Sequence, residues 1–241
     1  MSDDRMPPDP FVTEPSSTSI SAATSKPLPL VLLHGLGQSP IAWQDFVSAL
    51  GASRSMNAPW MRGLKPTDPV GFDLAAAASG VADGLELQGV RRADLVGVSV
   101  GASVALRLAA LRPELVGRLV IGGALLRPSA GSLRLQRLAM RIVPESRLVD
   151  AGVSRPRMLA VLEALKGFDG TDELRRVTAP VLVVAGSKDK PGLAASQELV
   201  RRLPTARLEV IEGAGPLLNT ESARELADLT RDFLDEPRPS P

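Results

Sequence analysis

Apolar and polar residues follow two rhythms along this chain, and the chain switches between them repeatedly. Pro29-Leu30-Val31-Leu32-Leu33 is an unbroken apolar run that stops at His34-Gly35. Leu95-Val96-Gly97-Val98, Leu119-Val120-Ile121 and Val181-Leu182-Val183-Val184 repeat the pattern, and Leu208-Glu209-Val210-Ile211 closes the series. Short runs without polar alternation predict strands covered on both faces, as in a parallel sheet. Between them the period lengthens. Residues 102–111 read as an apolar helix. Leu199, Val200 and Leu203 share one helical face while Gln197, Glu198, Arg201 and Arg202 share the other. Ser222-Ala223-Arg224-Glu225 has capping-box spacing ahead of Leu226, Leu229 and Phe233. Strands alternating with helices predict an α/β domain with a doubly wound, mainly parallel sheet.

The rhythm breaks twice. Residues 1–27 are rich in Pro, Ser and Thr and lack apolar periodicity, and residues 237–241 resemble them; both read as disordered tails. Residues 127–170 contain two helical patterns, 132–143 and 155–166, but no strand. They read as a short helical lid inserted between a first core segment, 28–126, and a second, 171–236. Over residues 127–166 eight basic residues face three acidic ones. Leu135, Leu138 and Ile142 form an apolar stripe beside Arg134, Arg137 and Arg141. Such a lid either attracts an acidic ligand, partner or membrane surface or simply presents a solvated outer face.

Composition narrows the chemistry. The formal net charge is +1, so no strong field points to nucleic acid. There is no Cys, which removes disulfides, thiol nucleophiles and zinc–thiolate sites together. No cofactor or metal motif is present. The N-terminus carries Asp3 and Asp4 and no apolar core of a secretory signal. The longest nearly uncharged run, near residues 95–106, is too short to span a membrane. A cytoplasmic location is the expectation. The chain holds one His, His34, so any imidazole mechanism uses that residue or none.

Gly97-Val98-Ser99-Val100-Gly101 matches G-x-S-x-G, with an apolar strand before it and an apolar helix after it. A tight strand-to-helix turn there would strain the serine backbone, expose its Oγ and aim the helix N-terminus at developing negative charge. His34-Gly35-Leu36-Gly37 follows the first strand, and Ala185-Gly186-Ser187-Lys188-Asp189 follows the strongest one. With these motifs in place the chain resembles the α/β-hydrolase superfamily, and specifically its compact esterase- and lactonase-like members, from about residue 28 to 234. The resemblance implies Ser99 as nucleophile and Asp189 as the triad acid. It also implies the N–H groups of Leu36 and Val100 as an oxyanion hole, with His34 structural.

The family places its catalytic His in a Gly-Ala-Gly-His pattern before the final helix. Here the stretch reads Gly213-Ala214-Gly215-Pro216, so Pro216 stands at the His position. Triad chemistry needs an imidazole to take the serine proton and return it to the leaving group, and proline offers neither a base nor an N–H. Other departures point the same way. Pro59-Trp60-Met61-Arg62-Gly63 stands where the family usually carries Asp, Val98 precedes the serine where His is frequent, and no antiparallel hairpin is evident before Leu28. Lys188 or Lys190 could substitute only within hydrogen-bond reach of the serine hydroxyl. The expected protein is a non-catalytic or barely catalytic binder of a small, mostly apolar molecule. The alternatives are a slow serine hydrolase of esters, thioesters or lactones, and a lyase-like activity using the oxyanion hole alone.

Overall fold

The structure is a computed structural model that describes residues 26–51, 54–124, 130–144, 148, 154–166 and 169–237. The expected tails lie almost wholly outside these residues, as do Arg127 and Arg147 of the basic insertion. Six parallel strands form one sheet in the order β2-β1-β3-β4-β5-β6. They are β1 (Leu30–Leu33), β2 (Met56–Asn57), β3 (Ala93–Val98), β4 (Val116–Gly122), β5 (Val181–Gly186) and β6 (Ala206–Ile211). The helices are α1 (Gln44–Leu50), α2 (Leu74–Leu87), α3 (Val100–Leu111), α4 (Ala130–Ile142), α5 (Arg155–Ala164), α6 (Lys190–Arg202), α7 (Leu218–Glu221) and α8 (Ala223–Asp235).

The apolar runs are strands because both of their faces are covered. Val31, Leu33, Leu95, Leu119, Ile121, Val181 and Val183 face a core built with α2, α3 and α6. Their neighbours Leu30, Leu32, Val96, Val98, Val120, Leu182 and Val184 face a second core, where Trp43, Phe46, Leu226 and Phe233 contribute. Successive side chains point to opposite faces, so a run apolar at every position fills both layers. The last run was expected to be covered on both faces like the others, but β6 is an edge strand and leaves Arg207, Glu209 and Val210 exposed. The two-residue β2 on the other edge has no apolar run to announce it.

One buried charge ties the layers together. Arg118 on β4 donates to the carbonyl oxygens of Phe233 (2.8 Å), Leu234 (2.6 Å), Glu236 (2.7 Å) and Pro237 (3.1 Å). Those carbonyls end α8 without intrahelical partners, and a cation there also complements the helix dipole. Helices α4 and α5 lie between β4 and β5 in sequence.

Candidate active site

Because every strand runs the same way, the segments after β1, β3, β5 and β6 all emerge at one edge of the sheet. The winding reverses between β1 and β3, and open α/β sheets place ligands outside the carboxyl ends of strands at such a point. Ser99 sits there. Its backbone lies at φ 53 and ψ −122, and it is the sole non-glycine with positive φ among the described residues. Its N–H donates to the Gly122 carbonyl at 2.7 Å, while its own carbonyl accepts from Ala102 (3.1 Å) and Ser103 (3.2 Å) to start α3. The turn is tight enough that a Cβ at Gly101 would run into the Leu33 carbonyl, which is why glycine is needed there. Val100 is the first helical residue, so its N–H is one of those a helix leaves unpaired.

The turn after β1 lies against this elbow: a Cβ built on Gly35 would stand 3.4 Å from the Ser99 Cβ. Gln38 organises it. The Gly35 N–H donates to Gln38 Oε1 at 2.9 Å, and the Gln38 N–H donates to the Gly35 carbonyl at 3.2 Å. Gln38 Nε2 donates to Asn219 Oδ1 at 3.1 Å; Asn219 Nδ2 returns a bond to Gln38 Oε1 at 3.1 Å and reaches the Ala42 carbonyl at 3.2 Å. Asn219 is fully buried. The Leu36 N–H has no acceptor among the described residues. The amide pair therefore consumes the Gly35 N–H of the turn and leaves the next one, that of Leu36, without an acceptor among the described residues.

Asp189 and Pro216 come from neighbouring loops that are stitched together. Ser187 N–H donates to the Ile211 carbonyl (3.0 Å), Lys188 N–H to the Ala214 carbonyl (3.0 Å) and Gly213 N–H to Ser187 Oγ (2.8 Å). The Asp189 carboxylate accepts the Gly192 N–H at 3.1 Å and caps α6, with Pro191 in the first turn. Pro216 is exposed, and so are Lys188 and Lys190. Two residues beyond Pro216, Leu218 fills the space over Gly122, whose carbonyl binds the Ser99 N–H. The Pro216 loop is thus followed by two anchors, Leu218 against Gly122 and Asn219 against Gln38 and Ala42.

His34 is sealed beneath the turn, 1 % exposed. Its Nδ1 lies 3.1 Å from the Gly35 carbonyl, and its ring meets the Trp60 ring edge-on at 5.2 Å. Burial pushes its pKa down from 6.5 to about 4, against the opposing pull of the Gly35 carbonyl. The ring is neutral at pH 7 and its proton sits on the nitrogen that bonds a carbonyl.

The space above the turn is a slit of ≈ 10 Å³ lined by Gly35, Leu36, Gly37, Gln38, Leu64, Arg157 and Met158. That is room for about one water. The slit is narrowed by α5, which lays Met158 across Gly37. Arg157, read from sequence as part of a basic face, is 4 % exposed. It donates to the carbonyls of Gly63 (2.6 Å), Asp68 (2.7 Å), Pro69 (3.2 Å) and Pro66 (3.4 Å). It straps α5 to the 63–69 loop and is not available to an anion. Gln38, Asn219 and Arg157 had no signature in the sequence. Among the described residues, no cluster of His, Asp or Glu could hold a metal, and no helix is long and apolar enough to cross a membrane.

An elbow at the β3–α3 junction of a parallel sheet, facing a His-Gly turn, defines the α/β-hydrolase architecture. The chain belongs to the alpha/beta hydrolase family, whose family model matches residues 30–229. It is 30 % identical to the pimeloyl-[acyl-carrier protein] methyl ester esterase of Neisseria meningitidis over 85 % of this chain and 92 % of that one. It is also 30 % identical to polyketide synthase ThaQ of Burkholderia thailandensis over 86 % of this chain, but there it spans only 12 % of the relative. A solved structure from work on carboxylesterases of the thaumarchaeon Nitrososphaera gargenis has the same fold. It shares 18 % identity and a TM-score of 0.77, covering 87 % of this chain and 90 % of that one.

Proposed function

We propose that this chain is a non-catalytic or barely catalytic member of its family, in which Ser99 keeps the posture of a nucleophile and Pro216 stands where the base would be. The observation that carries the reading is the state of the one imidazole: His34 is buried, neutral and bonded within its turn. Attack by a serine hydroxyl requires a base within hydrogen-bond reach, and a hydroxyl without one is a weak nucleophile at neutral pH. Asp189, the acid position, spends its carboxylate on the N-terminus of α6. With the base gone, a site of this kind retains about 10³–10⁴-fold over water from its oxyanion donors and binding.

The retained parts suit binding. The open N–H groups of Leu36 and Val100 beside Ser99 would hold a carbonyl or carboxylate oxygen, and Leu36, Leu64 and Met158 would receive a small apolar body. The insertion then acts as the cover, and the flexible Met158 side chain is the part that yields to admit a ligand. A second reading, a slow serine hydrolase of esters, thioesters or lactones, is favoured by one observation: the Ser99 backbone keeps its strained φ of 53. Hydrolysis of p-nitrophenyl acetate separates the two. Wild type and Ser99→Ala are expected to agree within about twofold, since the serine is not activated. A wild-type rate about a hundredfold above Ser99→Ala would overturn the proposal and establish the second reading.

A further inference from the structure

Helix α4 has two apolar faces. Leu133 is buried and Met140 packs against the core. About half a turn away, on the opposite side, lie Leu135, Leu138 and Ile142. These are 68, 59 and 80 % exposed. One apolar face is explained by folding; the second is not. The charges on the helix are all of one sign. Arg137 pairs with Glu163 of α5, whereas Arg134 and Arg141 are exposed and make no ion pair among the described residues. No acidic residue occurs between Ala130 and Ile142.

We propose that this outer face of α4 is a docking surface for an anionic lipid bilayer, with the helix lying in the headgroup plane. Charge favours it: two arginines with no ion pair among the described residues, beside an apolar ridge, match phosphate groups above acyl chains. Shape favours it too. Three side chains on a convex helix cannot supply the roughly 800 Å² per partner of a stable protein interface, while a bilayer receives protruding side chains one at a time. Arginine stems cover apolar surface and let their heads reach the phosphates. Position adds a third argument. α4 packs on α5, and α5 lays Met158 over the Leu36 turn. The ridge and the Met158 cover of the slit thus belong to one segment, and docking would bring the slit near a reservoir of apolar molecules.

The test is co-sedimentation of the full chain with vesicles of phosphatidylcholine alone and with roughly 30 % phosphatidylglycerol, at low and high salt. Binding to the anionic vesicles only, released by salt, is expected. Arg134→Gln with Arg141→Gln should weaken it about 25-fold, near fivefold per arginine. Leu138→Glu should abolish it with an unchanged circular dichroism spectrum, because the position is exposed. Ser99→Ala should bind lipid like wild type, so the result stands apart from the reading of the serine site. Absence of binding to anionic vesicles overturns the proposal, as does equal binding to neutral ones or binding that these variants leave intact. Self-association broken by Leu138→Glu without lipid binding would assign the face to a second copy instead.

Discussion

Ser99→Gly compared with Ser99→Ala isolates the strain in the elbow. Ser99 has φ 53 and ψ −122, outside the small left-handed region that L-residues tolerate. A residue held in such a conformation costs about 1–3 kcal/mol. Glycine removes that cost, and adds back about 0.5–1 kcal/mol because its unfolded chain has more freedom to lose. The serine side chain makes no capping bond to α3, so neither substitution sacrifices a cap. Alanine keeps the strain and is expected within about 0.5 kcal/mol of wild type. Glycine should therefore be more stable than alanine by about 0.5–2 kcal/mol, or a few degrees in Tm for a chain of this length. Urea unfolding of the three proteins with unchanged m reads the difference directly. A glycine variant equal to or less stable than the alanine variant would refute the claim that the fold carries strain at this turn.

Other expectations follow from particular contacts. His34 titrates at about 4 in the folded chain and near 6.5 when unfolded. Between those values the unfolded chain binds the proton and the folded one does not, so stability is lost as pH falls through this window, by about 3 kcal/mol in all. The single imidazole signal in NMR, unmoved above pH 5, checks it; a midpoint near 6.5 would contradict the burial. Gln38→Ala strips partners from Gly35 N–H and the buried Asn219 amide and should cost about 1–3 kcal/mol in urea unfolding. Arg157→Leu deprives four carbonyls of their donor and should cost about 3 kcal/mol; a loss under about 0.5 would mean that the strap is ornamental.

Much of the scaffold was legible because it rests on local patterns. Strands β1, β3, β4 and β5 are buried on both faces and so are apolar at nearly every position. β2 was not legible, because two residues at a sheet edge, one of them Asn57, carry no period. The elbow could be read because both glycines fall in one pentapeptide, although the steric demand is local only at Gly97, against the Gly101 carbonyl, and at Gly101 comes from the Leu33 carbonyl of the neighbouring strand. The Gln38–Asn219 pair could not: its members are 181 residues apart, and amides in loops ordinarily face water. Arg157 misled for the same reason, since a helical arginine is usually solvated and only the path of the 63–69 loop makes it a buried strap. Asp189 caps α6 with Pro191 in the first helical turn, a helix-start pattern that the sequence contains.

Intact-mass analysis after exposure to a fluorophosphonate probe tests the central claim most directly, because the probe reports activation of one hydroxyl without requiring the natural ligand. On the proposal that Pro216 stands where the base would be, and with His34 neutral beneath its turn, the wild type should label slowly and incompletely, and little faster than Ser99→Ala. Rapid labelling to one adduct per chain, abolished by Ser99→Ala, would show that Ser99 has a base and would contradict the account.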